Sequence, residues 1–282
     1  MSSITVTPCN GPGAEIGNVD ISQPISDEDF AVIRQAFADH GLIFLRDQSI
    51  TPEQHIAFAE RWGDINVNRF FTPVDGYPQI AEVRKEPDQA TNIGGGWHTD
   101  HSYDVEPAMG SILVARELPP KGGDTMFADM AAAYDALDDE MKAKLDGLEA
   151  IHSSKHIFGG QSAYKEGSDV KERLHNADAA DALDDVVHPV VITHPLSGKK
   201  ILYVNAAFTI GIKDLSQEES TALLMQLYQH AQQDQFVTRF QWKPGSIAFW
   251  DNRATWHYAL NDYQGERRVM HRITLEGCAL AA

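Results

Sequence analysis

The residues best suited to metal chemistry lie in the segment GGGWHTD, residues 94–100. His98 and Asp100 are two positions apart, so in an extended segment both side chains leave the same face of the backbone. His257, in the distant segment WDNRATWH (residues 250–257), supplies a third candidate ligand. Two histidines and one carboxylate on one side of an ion leave open positions, as in non-haem Fe(II) oxygenases. Zn²⁺ accepts the same donors, so the ligands alone do not identify the metal.

Two arginines near the end of the chain point to anion binding. Arg268 and Arg272 are four positions apart, so on a strand they share one face. A planar guanidinium can bind a carboxylate through two parallel hydrogen bonds, which suits Arg268. A buried arginine without an anion is costly, because breaking a buried ion pair costs about 3–5 kcal/mol. We therefore expect Arg272 to meet the carboxylate or sulfonate of a substrate, while Arg267 and His271 contact solvent or neighbouring structure on the opposite face.

The order of these motifs resembles the taurine dioxygenase family of Fe(II)/2-oxoglutarate-dependent oxygenases, which also includes enzymes that degrade aryloxyalkanoates. The matching motifs are WHTD, GGDT at residues 122–125, WDNR with its following histidine, and the pair of arginines in RRVMHR, residues 267–272. The likeness extends from GAEI, residues 13–16, to Arg272. It implies a double-stranded β-helix (jelly roll), Fe(II), O₂ and the co-substrate 2-oxoglutarate.

The resemblance also implies roles for individual residues. In the family, the GGDT threonine and an arginine eleven residues after the second metal histidine bind the distal carboxylate of 2-oxoglutarate; here these are Thr125 and Arg268. The other end of 2-oxoglutarate would take two metal positions and leave one for O₂. Arg272 would contact the substrate's acidic group. The implied reaction hydroxylates a small organic acid (a sulfonate, alkyl sulfate or aryloxy or alkyl carboxylate) and releases succinate and CO₂.

The sequence departs from the taurine-degrading members near the substrate. A histidine that helps to bind the sulfonate there would fall within residues 64–69, where this chain has none. Asn66 or Asn68 takes its place, and we assign Asn68 to substrate binding. His101 follows the metal aspartate where those members have a small apolar residue, and it is a further substrate-binding candidate. Taurine is therefore disfavoured as the substrate.

Phe158 and Phe208 are candidates for the apolar walls of the substrate site, although either could equally belong to the core. Two other functions remain open. A Zn²⁺ hydrolase with a metal-bound water would need neither O₂ nor Arg268. A non-catalytic β-barrel could bind a small acid and keep the metal only for structure, but a structural metal usually has a closed ligand set.

Composition limits the possible partners. With 282 residues, 43% of them hydrophobic, the chain can form one large domain, with a helical and loop insertion around residues 130–186. The net charge of −18 argues against binding to nucleic acid or anionic membranes. No apolar run approaches the roughly 20 residues of a membrane span. Two cysteines make no disulfide framework, and no signal peptide is recognised, so we expect a cytoplasmic protein. The resemblance suggests a homo-oligomer, a dimer or tetramer.

The pattern of short strands with a few helices predicts a mainly β protein with flanking helices. Ser26 begins a helix that ends before Gly41, and a buried strand follows at residues 42–45. Capping boxes at residues 51–54 and 216–219 each open a further helix. Residues 261–265, NDYQG, predict a hairpin-like connection between the segments that carry His257 and Arg268. The pattern alone does not choose between a sandwich and a barrel.

Overall fold

The computed structural model describes residues 3–160, 162, 174 and 180–282. Its strands, in chain order, are β1 (Thr5–Pro8), β2 (Ala14–Gly17), β3 (Leu42–Leu45), β4 (Ile65–Asn66), β5 (Pro73–Val74), β6 (Tyr77–Lys85), β7 (Gly110–Glu117), β8 (Thr125–Asp129), β9 (Glu149–His152), β10 (Val186–Pro189), β11 (Val191–Thr193), β12 (Lys200–Leu202), β13 (Thr209–Ile212), β14 (Val237–Phe240), β15 (Ile247–Asp251), β16 (Thr255–Ala259) and β17 (Arg268–Leu275). The helices are α1 (Asp27–His40), α2 (Pro52–Glu60), α3 (Met130–Asp135), α4 (Asp139–Leu145), α5 (Lys155–Phe158) and α6 (Gln217–Ala231).

Two facing sheets form the centre of the fold. The major sheet has the order β1-β2-β3-β15-β7-β17-β6-β5, and β4 adds to β17. The minor sheet has the order β14-β8-β16. Two smaller groups, β10-β9-β13 and β11-β12, lie outside these sheets. The predicted architecture, mainly β with flanking helices in a double-stranded β-helix, is confirmed.

The major sheet is buried on both faces. Along β3, Leu42 and Phe44 belong to the core between the two sheets, whereas Ile43 and Leu45 belong to the core beneath α1 and α2. Strand alternation produces this division, because successive side chains leave opposite faces. On the sheet-to-sheet side, Phe44 stacks on Phe240 with ring centroids 4.1 Å apart.

The predicted helix starts are present. The Ser26 side chain accepts a hydrogen bond from the Asp29 backbone, and Gly41 ends α1 with a φ of 64°. Both capping boxes form, the first with Thr51 and Gln54 and the second with Ser216 and Glu219. These caps satisfy backbone N–H groups that a helix leaves unpaired at its start. Across the described parts of the chain, no helix has the length and apolarity to span a bilayer.

The predicted hairpin between the segments of His257 and Arg268 is wrong. Strand β16 pairs with β8 in the minor sheet, whereas β17 pairs with β6 and β7 in the major sheet. The turn residues of the connection are a local signal, and they do not specify which sheet the next strand joins. The crossover places His257 and Arg268 on different sheets that enclose the same cavity.

The predicted insertion around residues 130–186 is described only in part. Its described residues form α3, α4, β9, α5 and the start of β10, and β9 pairs with both β10 and β13. Residues 161, 163–173 and 175–179 lie outside the described residues.

Candidate active site

Backbone pairing brings the three candidate metal ligands together. His98 and His257 form an antiparallel bridge, with hydrogen bonds of 3.1 Å from His98 N to His257 O and 2.8 Å in return. Asp100 follows two residues later on the same segment. The ligand atoms of the three side chains all lie within 4.8 Å of one another. The convergence predicted from the sequence is therefore present.

Each of the two histidines has a ring nitrogen that can bind a metal through its lone pair. His98 Nδ1 lies 2.8 Å from Gly96 O, and a carbonyl oxygen only accepts, so Nδ1 carries the proton and Nε2 carries the lone pair. That Nε2 atom lies 3.7 Å from Asp100 Oδ1, and His257 Nε2 lies 3.9 Å from Asp100 Oδ2. Burial, the largest cause, lowers the pKa of His257 well below its usual value. A neutral imidazole is the form that binds a metal.

Asp100 is held as a carboxylate. Its Oδ2 accepts a hydrogen bond of 2.9 Å from Arg272 Nη1 and a longer one of 3.4 Å from Ser111 Oγ. Burial alone would raise the pKa of Asp100, but the positive charge of Arg272, the foremost of the opposing influences, favours the carboxylate, and the pKa is lowered. Arg272 is therefore paired with the Asp100 carboxylate, an ion pair that the sequence alone did not indicate. Arg272 Nε is buried and has no hydrogen-bond partner among the described residues, so it can still donate to a ligand.

A second anion site lies across the cavity. Arg268 is 5% exposed, and its Nε and Nη2 atoms have no hydrogen-bond partner within the described part of the chain. Burial lowers the pKa of Arg268 below its usual value, which reflects the cost of holding that charge without an anion. Two unpaired donors on one guanidinium match the two oxygens of a carboxylate. The site therefore fits the distal carboxylate of 2-oxoglutarate.

Thr125, the first residue of β8, is oriented toward the same role. Trp242 Nε1 donates a hydrogen bond of 3.0 Å to Thr125 Oγ1. An indole N–H can only donate, so the hydroxyl oxygen is the acceptor and its own hydrogen stays available. Trp242 also lies beside Arg268, with the guanidinium carbon 5.8 Å from its ring centroid. One tryptophan thus contacts both proposed 2-oxoglutarate residues.

The candidate metal ligands and both anion sites open into one cavity of ≈ 300 Å³. It is lined by the three candidate ligands, by Thr125, Arg268 and Arg272, and by the predicted substrate residues Asn68, Phe158 and Phe208. Apolar side chains form much of the remaining wall, among them Phe71, Val83, Ile93, Ile157 and Leu174. An aromatic and aliphatic wall with few polar groups is typical of small-molecule sites.

His101 does not line this cavity in the described structure, unlike the other predicted substrate residues. It is 1% exposed and lies behind Asn68, with His101 Nε2 3.5 Å from Asn68 Nδ2. Its other nitrogen lies 2.7 Å from Asp104 Oδ2. His101 therefore reaches the cavity through its neighbours, among them Asn68 and Tyr103, whose ring stacks on the His101 ring with centroids 5.5 Å apart.

Sequence reasoning missed several residues that shape the site. Ser111 contacts Asp100, Trp242 contacts Thr125, and the Trp250 ring packs 4.7 Å from the His257 ring. Asn252 of the WDNR motif accepts a hydrogen bond from Trp250 Nε1 at 2.8 Å and donates a longer one to Ser111. Ser111 and Trp242 belong to ordinary strand patterns, so only the pairing of distant strands reveals their roles.

The chain matches the model of the family described as "Taurine catabolism dioxygenase TauD, TfdA family" over residues 5–274. An alkylsulfatase of Acinetobacter baylyi is 33% identical over 267 residues, which cover 94% of this chain and 82% of that protein. An alpha-ketoglutarate-dependent sulfate ester dioxygenase of Pseudomonas putida is 32% identical, with 94% and 86% of the two chains covered.

Solved structures agree with this match. A taurine dioxygenase from Burkholderia xenovorans superposes with a TM-score of 0.83 and 32% sequence identity, covering 100% of this chain and 93% of that chain. The protein AAD-2, in complex with Mn(II) and N-oxalylglycine, superposes with a TM-score of 0.82 and 29% identity, covering 100% of both chains. The chain belongs to the TauD/TfdA family of dioxygenases, as its motifs predicted.

Proposed function

We propose that the protein is an Fe(II)- and 2-oxoglutarate-dependent dioxygenase that hydroxylates a small organic anion and releases succinate and CO₂. One observation carries the proposal: His98, Asp100 and His257 converge in the same cavity as Arg268, whose Nε and Nη2 have no hydrogen-bond partner among the described residues. A metal site with open positions and a separate carboxylate site are what a metal-chelating dicarboxylate requires.

The three ligands would hold Fe(II) on one side and leave positions for 2-oxoglutarate and O₂. When bound, the metal would activate O₂, and 2-oxoglutarate would provide electrons for its reduction. The protein's part is to bind and orient. Arg268 and the Thr125 hydroxyl would bind the distal carboxylate of 2-oxoglutarate, which fixes its other end toward the ligand trio. Because these groups are already buried and oriented, little freedom is lost when the co-substrate binds.

The substrate would lie between the metal and the aromatic wall. Arg272 and Asn68 would bind its acidic group, and Phe158 and Phe208 would pack against its apolar part. This arrangement holds one C–H bond near the metal and excludes bulk water from the reacting carbon. Some relatives are named for sulfate esters, sulfonates or phenoxypropionate. These names support an organic sulfonate, sulfate ester or carboxylate as the substrate class.

The alternatives account less well for the cavity. A Zn²⁺ hydrolase does not explain the Arg268 donors that lack a partner among the described residues. A non-catalytic barrel does not explain why only three clustered ligands, which leave metal positions open, face the cavity in the described structure. The predicted cytoplasmic location and homo-oligomeric assembly stay predictions.

The metal assignment is tested by anaerobic titration with Fe(II) and 2-oxoglutarate. The wild-type protein should develop a weak visible charge-transfer band, and Asp100→Ala and Asp100→Asn should both lose it together with Fe(II) binding by calorimetry. Asp100→Asn retains an oxygen that can accept from Arg272, so it separates metal loss from loss of the buried pair. An unchanged band in both folded variants would contradict the ligand assignment. Oxygen-dependent succinate release with sulfonates, alkyl sulfates and aryloxy acids then tests the reaction.

A further inference from the structure

Asn68 and Arg272 both line the cavity, and both contact Phe71: Phe71 N donates to Asn68 Oδ1, and the Arg272 guanidinium carbon lies 4.5 Å from the Phe71 ring centroid. Together they can offer hydrogen-bond donors to a ligand. Arg272 uses Nη1 for Asp100, and its buried Nε is left without a partner in the described structure. Whether Asn68 offers a donor or an acceptor depends on the orientation of its amide. Its neighbours determine that orientation.

The first neighbours are two backbone N–H groups. Asn68 Oδ1 accepts from Phe70 N at 2.9 Å and from Phe71 N at 3.1 Å. A backbone N–H only donates, so the amide oxygen must lie on that side. The Nδ2 group therefore lies on the opposite side, toward His101.

His101 confirms this orientation through its own partner. Its Nδ1 lies 2.7 Å from Asp104 Oδ2, and a carboxylate accepts, so Nδ1 carries the ring proton. His101 Nε2 then has a lone pair that faces Asn68 Nδ2 at 3.5 Å. One N–H of Asn68 is thereby directed to His101, and the second N–H is left for the cavity.

Asp104 and His101 are themselves held firmly. Arg69 Nη2 binds Asp104 Oδ1 at 2.6 Å, which leaves Oδ2 for His101. Burial alone would raise the pKa of Asp104, but the hydrogen bond from His101 and the charge of Arg69 outweigh burial and lower it. The His101 backbone has a φ of 60°, an uncommon conformation for a residue other than glycine, and such conformations persist where the surroundings enforce them.

We propose that Asp104 and His101 are positioning residues that fix Asn68 as a hydrogen-bond donor to the acidic group of the substrate, beside Arg272. The proposal rests on the proposed function and adds a specificity rule to it. Donors from two side chains favour a group with only acceptor oxygens, such as a sulfonate, a sulfate ester or a carboxylate. Asp104, which is not among the residues that line the cavity, would thus influence which substrates bind.

A simpler role for Asn68 is to stabilise the turn of residues 68–71 through Oδ1. Asn68→Asp preserves the turn, because a carboxylate still accepts from both backbone N–H groups, but it removes the donor and adds a negative charge that itself repels an anion. Asp104→Asn adds no negative charge, so it is the deciding test. Asp104→Asn tests whether Asp104, through His101, orients Asn68. Arg69 would hold the oxygen of the new amide, so its NH₂ group would face His101 Nδ1 and move the ring proton to Nε2. The Nε2–H of His101 and the N–H of Asn68 would then be two donors that face each other, and Asn68 would lose its fixed orientation.

The experiment measures oxygen-dependent succinate release with pentanesulfonate, hexyl sulfate and phenoxyacetate. For the best of the three, both variants should raise the KM for the anion about tenfold, as expected for loss of one hydrogen bond to a charged group. The KM for 2-oxoglutarate should rise much less than the KM for the anion, because Arg268 and Thr125 are the residues assigned to this co-substrate. Asn18→Asp adds the same charge at an exposed position with a φ of 57°, which aspartate tolerates, and should leave every constant unchanged.

An unchanged KM for the anion in the folded variants would overturn the proposal. So would an equal rise in the KM for 2-oxoglutarate, because that result indicates a purely structural role. If Asn68→Asp does not fold, Asp104→Asn decides. Wild-type protein that releases no succinate with any of the three anions would instead refute the proposed function, and the inference with it.

Discussion

Gly123 lies directly against Arg268. A Cβ atom at position 123 would come within 3.2 Å of both Cδ and Nε of Arg268, and the Gly123 backbone has a φ of 71°. Both facts disfavour a side chain here, since positive φ values favour glycine and a Cβ atom at 3.2 Å would push against the arginine. The GGDT motif therefore supplies space for the arginine as well as the threonine hydroxyl.

Gly123→Ala should accordingly weaken 2-oxoglutarate binding. We expect the added methyl group to displace the guanidinium and raise the KM for 2-oxoglutarate about tenfold, which corresponds to roughly 1.4 kcal/mol. Gly147→Ala is the matched control, because Gly147 has a φ of 72° but nothing within 4 Å of the place that a Cβ atom would take. Both variants should lose stability through backbone strain, yet only Gly123→Ala should change the KM. Equal constants for the two variants would contradict the role of this contact.

Arg268→Ala should remove the main anchor of 2-oxoglutarate. Loss of a buried, hydrogen-bonded charge costs about 3–5 kcal/mol, so the KM for 2-oxoglutarate should rise by a factor of about 100 or more. Fe(II) binding, measured by calorimetry, should be spared because Arg268 is not one of the three clustered candidate ligands.

Arg267→Ala is the control for that substitution. Arg267 precedes Arg268 in the chain but forms ion pairs with Glu86 and Glu117 instead of facing the cavity. Arg267→Ala should leave the KM for 2-oxoglutarate and the affinity for Fe(II) unchanged. If Arg268→Ala altered only the KM for the organic anion, the roles assigned to Arg268 and Arg272 would have to be exchanged.

Trp242→Phe should test how the Thr125 hydroxyl is oriented. The substitution removes the indole N–H that donates to Thr125 Oγ1 at 3.0 Å. A net hydrogen-bond contribution of about 1 kcal/mol predicts a rise of about fivefold in the KM for 2-oxoglutarate. In a Thr125→Val background the same substitution should have little further effect, because the hydroxyl is already absent. A fivefold effect in both backgrounds would show that Trp242 acts by another route, such as its packing against Arg268.

Local rules explain which parts of the site were predictable from sequence. Alternation along β17 predicted that Arg268 and Arg272 share one face and that Arg267 and His271 occupy the other. The structure confirms this: both arginines line the cavity, whereas Arg116 donates to His271 at 3.1 Å. Helix starts were predictable for the same reason, since a capping box is complete within four residues.

The remaining features depend on contacts between distant segments. Arg272 finds its anion in Asp100 because β17 lies against the loop that carries the metal ligands, and no local pattern contains that information. Likewise, Trp242 reaches Thr125 only because β14 pairs with β8. The crossover between β16 and β17 was missed because turn residues specify a reversal but not the sheet that receives the next strand.

A final prediction concerns acid stability. His55 on α2 is fully buried, and burial, followed by the charges of Arg116 and His271, lowers its pKa to about 3. In the unfolded chain a histidine titrates near pH 6.5, so between these values the unfolded state binds a proton that the folded state excludes. The stability provided by the neutral ring is therefore present above about pH 6.5 and is lost as the pH falls, by up to about 1.4 kcal/mol per pH unit. His55→Leu should flatten the dependence of the unfolding free energy on pH by about that slope, as measured by urea denaturation at several pH values. Parallel curves for the variant and the wild type would show that the burial of His55 does not contribute to acid sensitivity.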